Sequence, residues 1–126
     1  MELNISIIFT LVILIFFLAL SIHAAMTRRK SGIALGESNN EDLIRAVRAH
    51  GNFLEYTPLF LISFILLEIL KVNNSYLILI ACFFILGRVF HAYSMFAKRD
   101  VFRALGMVFT FIPYLSNIIY LISLYL

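Results

Sequence analysis

Four long apolar stretches dominate this sequence and restrict what it can fold into. They occupy residues 5–25, the later part of 39–71, 76–97 and 104–125, and a helix of about 20 apolar residues is enough to cross a bilayer. Hydrophobic residues make up 63% of the chain, whereas a soluble domain has about 45–50% apolar residues. We therefore predict an all-α fold: one transmembrane domain over residues 1–126, an integral membrane four-helix bundle with helices at 5–25, 39–71, 76–97 and 104–125.

The second of these helices is predicted to be longer than the bilayer is thick. Ser38 and Glu41 form an S-x-x-E capping box, which places the helix start near Asn39, and the helix continues to Lys71. About 33 residues at ~1.5 Å each span roughly 50 Å, against a hydrocarbon core of ~30 Å. The first third of this helix is therefore expected to protrude on the side of the first loop.

Positive charges are concentrated in two of the three predicted loops. Residues 28–30 and 98–103 carry six of the ten Lys and Arg residues, whereas the second loop holds only Lys71. Cytoplasmic loops of membrane proteins carry an excess of Lys and Arg. We therefore expect the first and third loops to face the cytoplasm and both termini to lie on the opposite side.

A polar stripe runs along the second predicted helix into the membrane. Its members are spaced three, four and three residues apart, which puts them on one helix face: Arg45, Arg48, Asn52 and Glu55. Glu55 is followed almost at once by the apolar run LFLISFILL. Because a charge inside a bilayer costs ~2.5–3.5 kcal/mol or more, the carboxylate needs a partner.

Polar residues of the third helix are predicted at a similar depth. Counting inward from Lys71 and Tyr76 at ~1.5 Å per residue, Glu55 lies roughly 24 Å in, Arg88 roughly 18 Å and His91 roughly 23 Å. Arg103, at the start of the fourth helix, belongs to the same side of the membrane. These positions predict a polar cluster between the helices, in the cytoplasmic half of the bilayer.

Two interpretations of this cluster are open. Arg88 and Glu55 can neutralise each other as a buried ion pair that fixes the register of the helices. Alternatively, the arginines at 45, 48, 88 and 103 outnumber the carboxylate of Glu55, and the surplus charge favours binding of an anionic ligand.

Other kinds of site find no support in the sequence. Cys82 is the only cysteine and lies within an apolar run, so we expect it to pack as a small hydrophobe. His23, His50 and His91 have no cysteine or carboxylate at metal-ligand spacing, so no metal is expected. Basic residues interleaved with aromatics on a soluble face are missing, so we expect no nucleic-acid partner.

The polar stripe also carries a family resemblance. RAVRAHGNFLEYTPLFL and the later segment GRVFHAYSMF resemble the MAPEG superfamily, the membrane-associated proteins in eicosanoid and glutathione metabolism, and most of all its small bacterial, YecN-like members. The resemblance covers all four predicted helices. It implies a homotrimer in the bacterial inner membrane, in contact with membrane lipid, with glutathione as co-substrate bound between adjacent subunits and reached from the cytoplasm.

Roles follow from the resemblance by matching motif positions. Arg48, Asn52 and Glu55 would hold glutathione, with Glu55 at its amino group and the arginines at its carboxylates. Arg103 matches an arginine that stabilises the glutathione thiolate and is the expected catalytic residue. Further substrate-binding positions implied in the same way are Arg88, His91, Arg45 and Tyr56.

One position departs from the family pattern. Family enzymes often carry a tyrosine one turn after His91, where this chain has Met95, and Tyr93 is the nearest tyrosine. We include Tyr93 among the expected substrate-binding residues.

The resemblance implies a membrane-bound glutathione transferase, with peroxidase activity as a further option, that activates the thiolate for attack on a lipophilic second substrate. The Met95 departure favours the alternative of a non-catalytic lipid-binding or scaffold protein on the same fold. A purely structural bundle, in which the arginines only form pairs or reach the membrane surface, is the third hypothesis.

Overall fold

Four long helices make up the protein. In the structure, a computed structural model that describes residues 3–126, they are α1 (Asn4–Ser31), α2 (Glu41–Ile69), α3 (Asn74–Ala97) and α4 (Asp100–Tyr125). All four are long and apolar enough to cross a membrane, and the described residues contain no strand. The predicted all-α, four-helix membrane fold is confirmed.

Two helices extend four or more residues beyond one predicted end, and both of these extensions lie at the basic end of the bundle. α1 continues six residues past position 25, because Arg28, Arg29 and Lys30 suit the negative end of a helix dipole and Gly32 ends the helix in the left-handed conformation at φ 68°. α4 begins at Asp100 rather than at residue 104, with that carboxylate in its first turn. Arg103 therefore lies one turn inside α4.

The helix starts are set by asparagines rather than by the predicted serine. Asn40 is the N-cap of α2, and its side-chain oxygen accepts from the Leu43 backbone N–H at 2.9 Å. Ser38, the cap expected from the S-x-x-E pattern, instead lies in the preceding turn at φ 42°. Asn73 caps α3 in the same way and accepts from the Ser75 N–H at 2.8 Å. Asparagine is as good an N-cap as serine, so residue type alone did not distinguish Ser38 from Asn40 as the N-cap of α2.

Two glycines allow α3 and α4 to come into backbone contact. A Cβ added to Gly106 would lie 2.7 Å from the His91 backbone nitrogen and 2.9 Å from the Gly87 carbonyl oxygen. A Cβ added to Gly87 would lie 2.6 Å from the Thr110 hydroxyl oxygen. Small residues at such contacts are a common means of packing membrane helices, since the lipid supplies no hydrophobic force between them.

Phenylalanines join α1, α2 and α3 in the apolar half of the bundle. The rings of Phe60 and Phe84 are stacked, with centroids 4.0 Å apart, and Phe9 of α1 packs edge-on against both. All three are at most 3% exposed.

The far end of the bundle is closed by Glu68, near the end of α2. Its two carboxylate oxygens accept from the backbone N–H groups of Ile5 at 2.9 Å and Ser6 at 2.7 Å. A carboxylate is well placed there, since the first N–H groups of a helix have no partner within the helix. Glu68 thus fixes the start of α1 against α2.

Candidate functional site

A cleft opens at the end of the molecule where α2 and α4 begin and α3 ends. Its volume is about 880 Å³, within the range of small-molecule sites. The loop before α2 and the three helices contribute its lining: Glu37, Glu41, Ile44, Arg45, Val47, Arg48, Gly51, Asn52, Glu55, Tyr56, His91, Met95, Asp100, Arg103 and Met107.

Most of the predicted site residues meet at this cleft. The four-residue stripe of α2 lines it as the spacing predicted, together with Tyr56, His91 and Arg103. Arg88 lies behind the cleft wall and is 2% exposed. Tyr93 lies outside the cleft, where its ring packs edge-on against Phe102 with centroids 5.1 Å apart, and Met95 lines the cleft instead.

The charged side chains of the cleft that have no ion-pair partner among residues 3–126 include Arg48, Glu55 and Arg103. All three are exposed in the single chain. Arg45 differs, because its Nε donates to the Glu41 carboxylate at 2.9 Å, one turn away on α2. The cleft therefore offers two guanidinium groups and, on the inner stripe of α2, the Glu55 carboxylate, all free to meet a ligand or a second chain.

Carboxylates are more numerous here than the sequence suggested. Glu37, Glu41 and Asp100 line the cleft in addition to Glu55, so its arginines do not outnumber its carboxylates. The predicted surplus of positive charge is wrong for the cleft as a whole. The reason is structural: acidic residues favour the first turns of helices, and the first turns of α2 and α4 both lie at the cleft mouth.

Arg88 does not form the ion pair that was one interpretation of the cluster. Among the described residues no carboxylate lies within 4.0 Å of its guanidinium, so Glu55 does not neutralise it. Its Nη1 donates to Asn52, to the side-chain oxygen at 2.6 Å and to the backbone oxygen at 3.3 Å, and its Nη2 donates to the Thr110 hydroxyl. Arg88 thus joins α2, α3 and α4 behind the cleft.

Aromatic residues complete the surroundings of this guanidinium. Its central carbon lies 5.1 Å from the centre of the Tyr56 ring and 5.7 Å from that of Phe84, distances at which ring faces stabilise a cation. Tyr114 of α4 donates its hydroxyl to the Tyr56 backbone oxygen at 2.6 Å. These contacts hold Tyr56 in the cleft wall.

His91 reaches the cleft from the α3–α4 contact. It is 5% exposed, and its ring makes no hydrogen bond within the described chain. The two ring nitrogens are therefore the polar atoms that His91 can present to the cleft.

Sequence reasoning missed several residues of the cleft and its wall. Met107 and Asp100 lie at helical spacing from Arg103, four residues after it and three before it, so the helical period alone would have placed them beside it. Thr110, two turns after Arg103, continues the buried stripe of α4. Its pairing with Arg88 had no signal in the sequence, because it depends on how α4 is rotated against α3.

Comparison with known proteins gives one match. No curated protein and no solved structure matches the chain. The family model described as the MAPEG family matches residues 6–123, which include all of α2 and α3 and nearly all of the other two helices. With four helices able to cross a membrane and this match over nearly its whole length, the chain is an integral membrane protein and belongs to the MAPEG family.

Proposed function

We propose that this protein is a membrane-bound glutathione transferase, which activates the thiol of glutathione for attack on a lipophilic electrophile. The observation that carries the proposal is that one cleft brings together three unpaired charges of suitable sign, Arg48, Glu55 and Arg103. Membership of the MAPEG family supports it, since glutathione is the substrate commonly used there.

The charges of the cleft complement those of glutathione, which carries two carboxylates and one ammonium group at neutral pH. Glu55 is the acceptor for the ammonium group, and Arg48 is a donor for a carboxylate. Glu37, Glu41 and Asp100 belong to the first turns and the loop at the cleft mouth, whereas Glu55 lies about four turns into α2. The ligand therefore enters past the acidic mouth and binds along the inner stripe.

Arg103 is the residue to which we assign activation of the thiol. A thiol of pKa ~8.5 is mostly protonated at neutral pH, and lowering the pKa by about two units requires ~2.7 kcal/mol. One guanidinium at ~4 Å supplies about 4 kcal/mol at an effective dielectric of ~20. The thiolate sulfur then forms a bond to the electrophilic carbon of a substrate that arrives from the lipid, and the leaving group on that carbon departs with its bonding electron pair. Reduction of a hydroperoxide to an alcohol and water, in which two glutathione molecules are oxidised to the disulfide, is a related activity.

A second copy of the chain is expected to cover part of this cleft, and we propose a homotrimer. Glu55 lies about 21 Å from the Ile69 end of α2, well inside a hydrocarbon core of ~30 Å, yet its side chain is exposed in the single chain. An uncovered carboxylate facing lipid costs several kcal/mol. A neighbouring subunit and bound glutathione together remove that cost.

The distribution of positive charge supports an orientation. The ends of α1 and α3 and the starts of α2 and α4 hold nearly all the Lys and Arg, and the other end holds only Lys71. We propose that the cleft faces the cytoplasm, that both termini lie on the other side, and that the membrane is a bacterial inner membrane.

A non-catalytic lipid-binding or scaffold protein is the second candidate function. The observation that favours it is Met95, which lines the cleft where family enzymes often have a tyrosine, while Tyr93 packs elsewhere. A thioether cannot donate a hydrogen bond to a thiolate or carboxylate. This candidate predicts that bound glutathione, if it binds at all, stays a thiol.

The ultraviolet absorbance of the thiolate tests the two candidates. Glutathione added to the purified protein in detergent is expected to show thiolate absorbance at neutral pH. We expect Arg103→Gln to lower the amount of thiolate by tenfold or more, which corresponds to a loss of at least about 1.4 kcal/mol of thiolate stabilisation. Arg99→Gln is the matched control, since Arg99 is an exposed arginine near the start of α4 that lies outside the cleft. Equal thiolate in the Arg103 and Arg99 variants would refute the role of Arg103.

A further inference from the structure

We infer that Thr110 is a positioning residue of the cleft. It holds Arg88, and Arg88 in turn holds the side-chain amide of Asn52 so that this amide presents its N–H donors, and not its oxygen, to the ligand. The inference rests on the proposed function where the ligand is glutathione. The orientation of the amide itself follows from the three residues alone.

The direction of the Asn52 amide is fixed by its partner. A guanidinium has N–H donors and no acceptor, so the atom 2.6 Å from Arg88 Nη1 has to be the side-chain oxygen of Asn52. The Asn52 backbone oxygen accepts from the same Nη1 at 3.3 Å and ties the guanidinium to α2 a second time. The amide nitrogen is then the end that remains for the cleft, which Asn52 lines.

An amide held in this way selects the kind of ligand group it can bind. Its N–H groups meet an acceptor, such as a carboxylate or an amide carbonyl, and cannot accept from an ammonium group. Glu55, three residues later on the same face, is acceptor-only when ionised. The inner cleft therefore separates two recognition points: Asn52 for an oxygen of the ligand and Glu55 for its ammonium nitrogen.

Thr110 holds the other side of the guanidinium. It is fully buried and lies outside the cleft lining, so it touches no ligand in the cleft. Its hydroxyl hydrogen is directed to the Gly106 backbone oxygen at 2.8 Å, which leaves a lone pair for Arg88 Nη2. Gly87 makes room for this contact, since a Cβ there would lie 2.6 Å from the same hydroxyl oxygen.

The position of Arg88 depends on these few contacts. Its Nε is buried and has no hydrogen-bond partner within residues 3–126, and no carboxylate there neutralises its charge. Removal of the Thr110 oxygen leaves a further N–H of a buried cation without an acceptor, which is costly. The guanidinium then moves, and Asn52 loses the partner that fixes its amide.

A pair of Thr110 variants and a double-mutant cycle test the inference. Thr110→Val keeps the shape of the side chain and removes the hydroxyl, whereas Thr110→Ser keeps the hydroxyl and is the matched control. We expect Thr110→Val to weaken glutathione binding about tenfold, as measured by calorimetry in detergent, and Thr110→Ser to bind glutathione nearly as tightly as the wild type does. In an Asn52→Ala background the same Thr110→Val change is expected to have almost no effect. A loss of equal size in both backgrounds would show that Thr110 acts only through general stability and would overturn the inference.

A second measurement needs no ligand and keeps this inference separate from the proposed function. In protein labelled with ¹⁵N-asparagine, the side-chain N–H signals of Asn52 are assigned by their loss in Asn52→Ala. We expect them to shift in Thr110→Val and to stay near their wild-type positions in Thr110→Ser. Unchanged signals in Thr110→Val would overturn the positioning chain. Failure of the wild-type protein to bind glutathione, together with the expected shifts, would refute the proposed function and leave the positioning chain supported.

Discussion

Substitution of Gly106 by alanine is predicted to force α3 and α4 apart. The new Cβ would lie 2.7 Å from the His91 backbone nitrogen, whereas ordinary contacts begin at 3.4 Å, so the helices have to separate by about 0.7 Å. The neighbouring atoms belong to backbone and cannot turn aside as a flexible side chain does. Overpacking of this kind costs about 1–3 kcal/mol. A shift of α4 also weakens the Arg88–Thr110 hydrogen bond, a net loss of about 1 kcal/mol, whereas alanine gains up to about 1 kcal/mol over glycine in a helix interior. We therefore expect Gly106→Ala to lower the free energy of unfolding by ~1–3 kcal/mol.

Gly51→Ala is the matched control for this prediction. Gly51 lies within α2, and a Cβ added to it meets nothing within 4 Å. In a helix interior alanine is favoured over glycine by up to about 1 kcal/mol, so this variant is expected to be as stable as the wild type or more stable. Reversible unfolding in mixed detergent micelles compares the three proteins. A Gly106→Ala protein as stable as Gly51→Ala would show that α3 and α4 are not in backbone contact.

Two further predictions concern the charged ends of the bundle. Glu68→Gln removes the carboxylate that accepts from the first N–H groups of α1, and we expect it to lower the free energy of unfolding by ~1–2 kcal/mol. Glu37→Gln is the control, because Glu37 is a loop carboxylate without an ion pair, and it is expected to change the free energy of unfolding little. Equal effects of the two substitutions would contradict the role of Glu68 at the start of α1. Hydrogen bonds to Asp42 and then Glu41 raise the pKa of Lys98 above its usual 10.5. This stabilisation is fully present below the pKa of the lysine in the unfolded chain and is lost as the pH rises through its higher pKa in the folded protein. The difference in stability between the wild type and Lys98→Met should therefore shrink at pH values above both pKa values. A difference that stays constant with pH would contradict the ion pairs of Lys98 with Asp42 and Glu41.

Properties that depend on one helix at a time were predictable from the sequence. The three-, four- and three-residue spacing that placed Arg45 and Glu55 on one face follows from the helical period, and the structure puts both in one cleft. The same period explains the outcome for Tyr93, which lies two residues from His91 and so points about 200° away around α3. Tyr93 accordingly packs against Phe102, outside the cleft.

Properties that depend on two helices were not predictable in the same way. Depth alone made Arg88 a partner for Glu55, but the guanidinium instead contacts Asn52 and Thr110, because Gly87 and Gly106 bring α4 against α3 beside it. The rotation of one helix against another is set by such packing contacts, which a single sequence does not display.

The prediction of a surplus of positive charge at the cleft was wrong for a related reason. Asp100 was expected in a loop, but α4 begins with it, and the first turns of α4 and α2 bring acidic residues to the same mouth. The ends of helices depend on local capping contacts. Because α4 begins four residues earlier than predicted, the Asp100 carboxylate lies in its first turn and lines the cleft. The identity of the residues was plain from the sequence, whereas their place in the cleft was not.

Glutathione binding measured by calorimetry in detergent tests the central claim most directly. The wild-type protein is expected to bind glutathione saturably in the millimolar range found in cells, and Arg48→Ala to weaken binding about tenfold or more, as expected for loss of a charged hydrogen-bond partner. Arg99→Ala, which removes an exposed arginine outside the cleft, is expected to bind as the wild type does. No saturable binding to the wild type, or equal weakening in both variants, would contradict the assignment of this cleft to glutathione.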